Sequence, residues 1–386
     1  VARRDWEKAR KVPGELRAEI TRAEVLGVPA WAEARKNADY QAFLPYLKQN
    51  VDLKLQYIEC FADSGKSAYD ILLDDYERGM KTAEVREVFD RVKEVLVPLI
   101  AEAADAYGDD DDRILERTFP VEAQQELSRE VIEMFGHREG AWRIDPTAHP
   151  FASGGGVNDI RITTKYEQPG LESLFATIHE YGHGLYEHQI DPALDRTPLG
   201  RGVSLGIHES QSRMWENLVG RSRPFWTHWY EPLQSTFPDQ LGDVELETWY
   251  RTVNRVQPSL IRIKADEITY NMHIILRFEL EQDMLEGRVP IADLPRVWNE
   301  RMQQYLGIDV PDDSDGVLQD MHWATGTIGY FSTYSLGNVM SVQIWERIKD
   351  EIPELEEQIE RGEFTPLREW LGEHIHKHGR KFKPQD

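Results

Sequence analysis

The sequence predicts a mostly α-helical protein: one large helical body, two-lobed about a cleft, with a small β-sheet beside that cleft. Three observations predict it. Apolar residues recur at steps of three and four over most of the chain, the mark of helices with one buried face. Only residues 157–166 alternate strictly enough to read as a strand. No repeat of fixed period, low-complexity linker or shift of composition divides the 386 residues, so 1–386 reads as a single domain long enough for a large core.

Taken in chain order, Cys60 lies between Glu59 and Phe61 in a helical stretch and reads as packing. Residues 84–106 place Val85, Val88, Phe89, Val92, Val95, Leu96, Leu99 and Ile100 on one helical stripe, with Pro98 expected to kink the helix or mark its last turn. Gly108 and the acids at 109–112 read as a solvated loop, because calcium binding needs an alternation of oxygen ligands that this block lacks. In the strand, Ile160, Ile162, Thr164 and Tyr166 point one way, while Arg161, Thr163 and Lys165 point the other. Gly154, Gly155 and Gly156 read as a flexible turn before it, since no Gly-Lys-Ser/Thr follows to make a phosphate loop. Pro169-Gly170 ends the strand. Helical patterns then resume from Leu171, broken at Pro192, Pro224, Pro232, Pro238, Pro290, Pro311 and Pro353.

Composition narrows the class. Hydrophobic residues make up 40% and charged residues 30%, a globular profile. The longest apolar run, from Val95 to Ala101, is interrupted by Pro98 and falls far below the roughly 18 residues of a membrane span. No basic-then-apolar pattern stands at the start of the given sequence, which begins at Val1 and not at Met, and a membrane protein is not expected. Forty-five basic residues against 69 acidic ones leave a net charge of −24, which repels nucleic acid and anionic lipid. The single cysteine builds neither an internal disulfide nor a thiolate zinc site, and a soluble protein of the reducing cytoplasm is expected.

The chemistry concentrates in Leu171-Glu-Ser-Leu-Phe-Ala-Thr-Ile-His179-Glu180-Tyr-Gly-His183-Gly-Leu-Tyr-Glu187. On a helix His179 and His183 sit one turn apart on the same face, so both imidazoles reach one metal ion. Glu180, rotated by about 100°, is free to approach a metal-bound water. Leu174, Ile178 and Leu185 supply a buried side. Gly182 and Gly184 cost the helix roughly 1 kcal/mol each against Ala, which asks for a close neighbour such as a packed backbone. A third ligand is sought in Gly206-Ile-His208-Glu209-Ser-Gln-Ser-Arg213-Met-Trp-Glu216, which begins a second helix. Glu209 is preferred there, with His208 as the local rival and Glu187 as the nearest acidic alternative. One divalent metal is expected, zinc first, with cobalt or manganese accepted by the same ligand types.

Six segments in order make the chain resemble the carboxypeptidase Taq-type family of metallocarboxypeptidases. They are His149-Pro-Phe151, Asp159-Ile-Arg161-Ile-Thr163, His179-Glu180-Tyr-Gly-His183, His208-Glu209-Ser-Gln211, Ile261-Arg262-Ile-Lys-Ala-Asp266 and Gly316-Val-Leu-Gln319-Asp320-Met-His322-Trp323. General similarity extends over the whole chain, which is shorter than family members at both ends. The resemblance implies a mostly helical fold with a long substrate groove, a metal at its floor, a homodimer, and removal of single residues from peptides with a free C-terminus.

In such an enzyme Glu180 serves as base and then acid, and the tetrahedral oxyanion needs a donor besides the metal. Tyr330 is the first candidate and His322 the second. A guanidinium suits the terminal carboxylate of the substrate. Arg262 is expected to open a helix with Ile261, Ala265, Ile268, Met272 and Ile275 on its buried stripe, and Asp266 to hold its guanidinium. Arg161 is the second candidate, on an edge strand able to pair with an extended peptide. His149 is the third substrate-binding candidate, although it is expected to shape the turn at Pro150 before it touches substrate. His374, His376 and His378 read as solvated, and Trp215, Trp323 and Trp345 as packing. The alternatives to a carboxypeptidase are a metallo-oligopeptidase cutting internal bonds and a catalytically silent protein that binds metal or peptide.

Overall fold

The computed structural model describes residues 1–104, 111–137 and 140–386. The described residues are mainly helical with one three-stranded sheet. The chain divides into two compact units, Val1–Ala106 with Val256–Ser335, and Tyr107–Arg255 with Leu336–Asp386. The loop expected over 108–112 lies outside the described residues as far as 110, and Asp111–Ile114 form a short 3-10 turn. Among the described residues no helix is long and apolar enough to cross a membrane.

In the first unit the helices Gly14–Lys36 and Tyr40–Glu59 pack against each other, and Asp39 starts the second by accepting a hydrogen bond from the Ala42 amide at 3.1 Å. Cys60 follows that helix and packs beside Val12, Phe61 and Ile71, as expected. The helix Thr82–Ala104 continues well beyond Pro98. Val85, Phe89 and Ile100 are buried on it, but Val95 and Leu99 are 63% and 42% exposed. The expected stripe was too wide: these two lie toward its margin, outside the contact the helix makes. The helix Tyr270–Leu285 is buried at every position but Asn271 and Glu279, and takes His273, Arg277, Glu281 and Gln282 inside with its apolar residues. Polar groups so enclosed need partners, and Arg277 and Glu281 find theirs in the segment 319–329.

The second unit holds the sheet, whose strands β1 (Trp142–Pro146), β2 (Phe151–Gly156) and β3 (Asp159–Thr164) run in the order β1-β3-β2. β3 pairs in parallel with β1 and antiparallel with β2. Two expectations are corrected here. Gly154–Gly156 are not the turn but the end of β2, with a register irregularity at Gly154/Gly156, and the turn is Val157-Asn158. β3 is not an edge but the middle strand, so both its sides are already paired. Glycines carry no side chain to alternate, which hid β2 from a pattern built on side chains.

Ile160 and Ile162 face inward as predicted and are 1% exposed. The surrounding core is aromatic: Phe135, Trp142, Tyr181 and Trp215 interlock with ring centroids 4.8–5.4 Å apart. Trp215, Trp323 and Trp345 are all buried in packing roles. One of the expected helix breaks is absent, because Pro232 lies inside the helix Arg223–Thr236, whereas Pro224 stands in the first turn of that helix, where a missing N–H costs little, and follows the expected break after Val219. His376 is not solvated. It is fully buried, its Nδ1 2.6 Å from Gln189 Oε1 and its Nε2 2.8 Å from Gln211 Oε1, and burial pushes its pKa down to about 3. His374 and His378 stay near the surface against Trp370 and Phe382.

Candidate active site

The helix Glu172–His188 carries His179, Glu180 and His183, and anchors itself through buried Leu174, Ile178 and Leu185. Its two glycines have the close neighbours the sequence asked for. A Cβ on Gly182 would stand 2.5 Å from the Gln211 carbonyl oxygen and 2.6 Å from Ser212 Cα. A Cβ on Gly184 would stand 2.7 Å from Cζ3 of Trp142. Glycine thus lets the backbone of the helix Leu205–Arg213 come into direct contact, and that approach brings Glu209 beside His183. Ser204 caps the second helix by accepting from the Ile207 amide at 3.2 Å.

His179, His183 and Glu209 meet with their candidate ligand atoms within 4.8 Å of one another. Nε2 of His179 is 3.7 Å and Nε2 of His183 3.4 Å from Glu209 Oε2. Each imidazole is fixed from behind through its other nitrogen. Nδ1 of His179 lies 2.8 Å from Glu216 Oε2. Nδ1 of His183 lies 2.7 Å from Nδ1 of His208, whose Nε2 is 2.9 Å from Glu187 Oε1. His208 and Glu187, the alternatives to Glu209, therefore stand behind the cluster and orient His183. Arg213 Nε donates to Glu209 Oε1 at 2.8 Å, and its Nη1 to Glu216 Oε2 at 3.2 Å.

Glu216 and Arg213 were not singled out from the sequence. Glu209, Arg213 and Glu216 follow at steps of four and three, a single helical face, which is the signal that would have found them. The helix also widens into a π-helical stretch at Met214–Val219, a feature that collects at functional sites and here carries Glu216.

The electrostatics suit a cation. Burial alone would raise the carboxyl of Glu209, but Arg213 and the two imidazoles hold it well below the usual carboxylate range. Burial opposes ionisation of Glu216 too, yet Arg213 and His179 bring it down to about 2. His183 is pushed down to about 4, chiefly by burial, and so presents a neutral ring. For His179 burial is outweighed by Glu209 and Glu216, which raise it. Glu180 is 6% exposed, its Oε2 has no hydrogen-bond partner among the described residues, and burial pushes it up to about 7. Two imidazoles whose Nε2 atoms turn toward one anionic carboxylate, each of the three braced from behind, fit a divalent cation.

The bracing itself is testable. Glu216→Gln keeps an oxygen for the His179 Nδ1–H but removes the charge, and is expected to weaken zinc binding roughly 10- to 100-fold. Competition against a chromophoric chelator measures this; unchanged affinity would show that Glu216 does not tune the ligand.

Among the other expected residues, Arg161 is exposed and its fork is taken by Asp159, Nε–Oδ1 2.8 Å and Nη2–Oδ2 3.0 Å. His149 is exposed at a bend between β1 and β2. Arg262 does not open a long helix. It starts a 3-10 turn, Arg262–Lys264, and the long helix begins at Tyr270. Asp266 does not hold its guanidinium either, because that carboxylate accepts from the amides of Gln257, Ile268 and Thr269 at 2.9–3.0 Å, ordering the approach to the helix. The partner of Arg262 is Asp320, whose Oδ1 accepts from Nε at 3.1 Å and Nη2 at 2.7 Å, while Nη1 donates to Tyr270 Oη at 3.0 Å.

Asp320 is shared. Its Oδ2 accepts from Arg277 Nε at 2.7 Å, so two buried guanidiniums meet one carboxylate. Burial works against that carboxylate, but the two arginines keep it far below its ordinary range. His322 lies 3.9 Å from Asp320 through Nδ1 and 3.3 Å from Tyr334 Oη through Nε2. Burial pushes its pKa down to about 4, so the ring is neutral near pH 7. The Tyr330 ring faces it, centroids 5.5 Å apart.

Comparison with known proteins agrees on one family. The sequence profile described as Carboxypeptidase Taq (M32) metallopeptidase matches residues 1–386. Thermostable carboxypeptidase 1 of Thermus thermophilus is 42% identical over 99% of this chain and 77% of that protein. Carboxypeptidase 1 of Bacillus subtilis is 38% identical over 100% of this chain and 77% of that protein. The crystal structure of the M32 carboxypeptidase from Deinococcus radiodurans superposes with a TM-score of 0.96 at 42% identity, covering 99% of this chain and 77% of that one.

Proposed function

The chain belongs to the carboxypeptidase Taq (M32) family of metallopeptidases and is a peptide hydrolase of the metallocarboxypeptidase class; from that premise we propose that it removes single C-terminal residues, with broad specificity, from peptides with a free C-terminus. His179, His183 and Glu209 would hold the divalent metal, with zinc as the native ion. The convergence of these three side chains on one point, each braced by a second residue, is the observation that carries the reading.

A cation held there would supply Lewis acidity toward the scissile carbonyl and toward a water, whose pKa would fall toward neutrality. Glu180 takes the proton of the attacking water and returns it to the leaving amine, a task suited to a carboxylate with an uncommitted oxygen and a pKa near neutrality. Tyr330 donates to the developing oxyanion, with His322 as the second choice. Arg262 reads the terminal carboxylate of the substrate, since two guanidiniums share one aspartate and leave an excess positive charge. Arg161 and His149 play lesser substrate-binding parts, as the exposed fork of Arg161 is occupied by Asp159. On the same reading 1–386 acts as one two-lobed catalytic domain, works as a homodimer and resides in the cytoplasm, in keeping with the single cysteine and the acidic charge.

Mass spectrometry of a defined peptide, incubated with and without a chelator, tests this. Stepwise shortening from the C-terminus, stopped by the chelator and restored by zinc, is the expected result. Internal fragments would instead mark an oligopeptidase, and shortening that survives the chelator would remove the metal from the mechanism.

A further inference from the structure

We propose that Glu281 is a positioning residue: one buried carboxylate ties Trp323 and Gly329 to a single point and thereby fixes their chain neighbours, His322 and Tyr330, relative to each other. The inference rests on the reading of Tyr330 or His322 as oxyanion donor.

Glu281 lies on the helix Tyr270–Leu285 and is 0% exposed. Its Oε1 accepts from Trp323 Nε1 at 3.0 Å, and its Oε2 from the Gly329 amide at 2.9 Å and from Tyr69 Oη at 2.7 Å. The two tied residues bracket the segment 323–329. His322 immediately precedes it and Tyr330 immediately follows it. The far end is seated as well as tied. Gly329 has φ +91°, and a Cβ there would stand 2.8 Å from Leu72 Cβ, so this segment lies directly on the helix Ala68–Tyr76. That helix also supplies Tyr69 to Glu281 and sets the Tyr76 ring edge-on to Tyr330, 5.3 Å between centroids.

A carboxylate does what an amide cannot at this point. All three partners are donors and both oxygens are used, so the anion satisfies the set without a proton of its own. Burial pushes the carboxyl up to about 7, and the three donors pull against that rise. A glutamine would have to aim its NH2 either at the indole N–H or at the Gly329 amide and the tyrosine hydroxyl. Either way one tie to the segment becomes a clash between donors, and the spacing of His322 and Tyr330 loosens.

The test is a double-mutant cycle read in kcat and KM on a free-acid peptide. Tyr330→Phe alone is expected to lower kcat about 10²-fold, the scale of a lost oxyanion donor. Glu281→Gln alone should lower kcat about 10- to 100-fold with KM within about twofold of wild type. The double variant should be no slower than the slower single variant by more than about threefold, because both act through the same ring. A parallel cycle with His322→Gln covers the second donor. Multiplying losses in both cycles, or wild-type kcat in Glu281→Gln, overturns the role of Glu281 while leaving the donor reading intact. Wild-type kcat in both Tyr330→Phe and His322→Gln overturns the donor reading itself. Should Glu281→Gln fail to fold by near-ultraviolet circular dichroism, Trp323→Phe removes one tie and is carried through the same cycles, with a smaller loss expected and the same outcomes deciding.

Discussion

Glu180→Gln is expected to lower kcat by about 10³- to 10⁴-fold while the protein keeps its full complement of divalent metal. General acid–base catalysis by a positioned carboxylate contributes on that scale, and an amide of the same shape can neither accept the proton from water nor deliver one to an amine. The metal should stay because Glu180 is not among the three side chains that converge, and His179, His183 and Glu209 keep their braces in Glu216, His208 and Arg213. Stability should not suffer. Oε2 of Glu180 is buried with no hydrogen-bond partner among the described residues, and enclosing a charge in that state is costly, so a neutral amide is expected to leave Tm unchanged or to raise it. Steady-state kinetics, metal content by mass spectrometry and a thermal melt on one preparation make the comparison. More than about a tenth of wild-type kcat with metal bound would end the role given to Glu180, and loss of the metal would make it a ligand instead.

Much of this centre was legible because its key spacing is local. His179 and His183 share a helix face by the geometry of the helix alone, and no fold is needed to see it. Glu209 was accessible as the next carboxylate on the next helix. What escaped was everything that depends on non-local contact or on departures from regular geometry. The pairs Arg262–Asp320 and Arg277–Asp320 are 58 and 43 residues apart, and nothing in the spacing of either relates the partners. Asp266 stands four residues after Arg262, a distance that suggests an ion pair if the stretch is helical, but the stretch is a 3-10 turn followed by extended backbone. The better signal was Asp266 with Thr269 ahead of the apolar run that starts at Tyr270, the pattern of a residue ordering a helix entrance.

The sheet shows the same division. β3 alternates and was found, whereas β2 is half glycine, and β1, though Trp142 and Ile144 alternate with Arg143 and Asp145, is too short to stand out. The position of β3 between its neighbours is a fact of pairing, which alternation does not report. Glu281 was invisible for a related reason. A helix buried at almost every position shows no face, so a charged residue within it looks like any other polar position until its partners are known.

Arg262→Ala is expected to lower kcat/KM on a free-acid peptide by about 10²- to 10³-fold, equivalent to two charge-assisted hydrogen bonds at roughly 1.5–2 kcal/mol each, and to leave the amidated peptide as poor a substrate as before. The ratio of acid to amide should therefore collapse toward one. Counting charges in the cluster gives the reason. Arg262 and Arg277 together neutralise Asp320 and leave one positive charge over, in a setting where Arg262 is 6% exposed and the ring centroids of Tyr270, Phe331 and Tyr334 lie 5.1–5.8 Å from its guanidinium carbon. Removing Arg262 leaves Arg277 and Asp320 as a satisfied pair with no charge over, so the attraction for a carboxylate disappears although the acid is not orphaned. The fold should survive for the same reason, at the cost of the cavity that the side chain vacates. Arg262→Lys separates charge from shape: it restores the positive charge without the planar fork and should recover only part of the discrimination. If Arg262→Ala still prefers the acid by the wild-type factor, the terminal carboxylate is read elsewhere, and the excess charge of this cluster serves the fold alone.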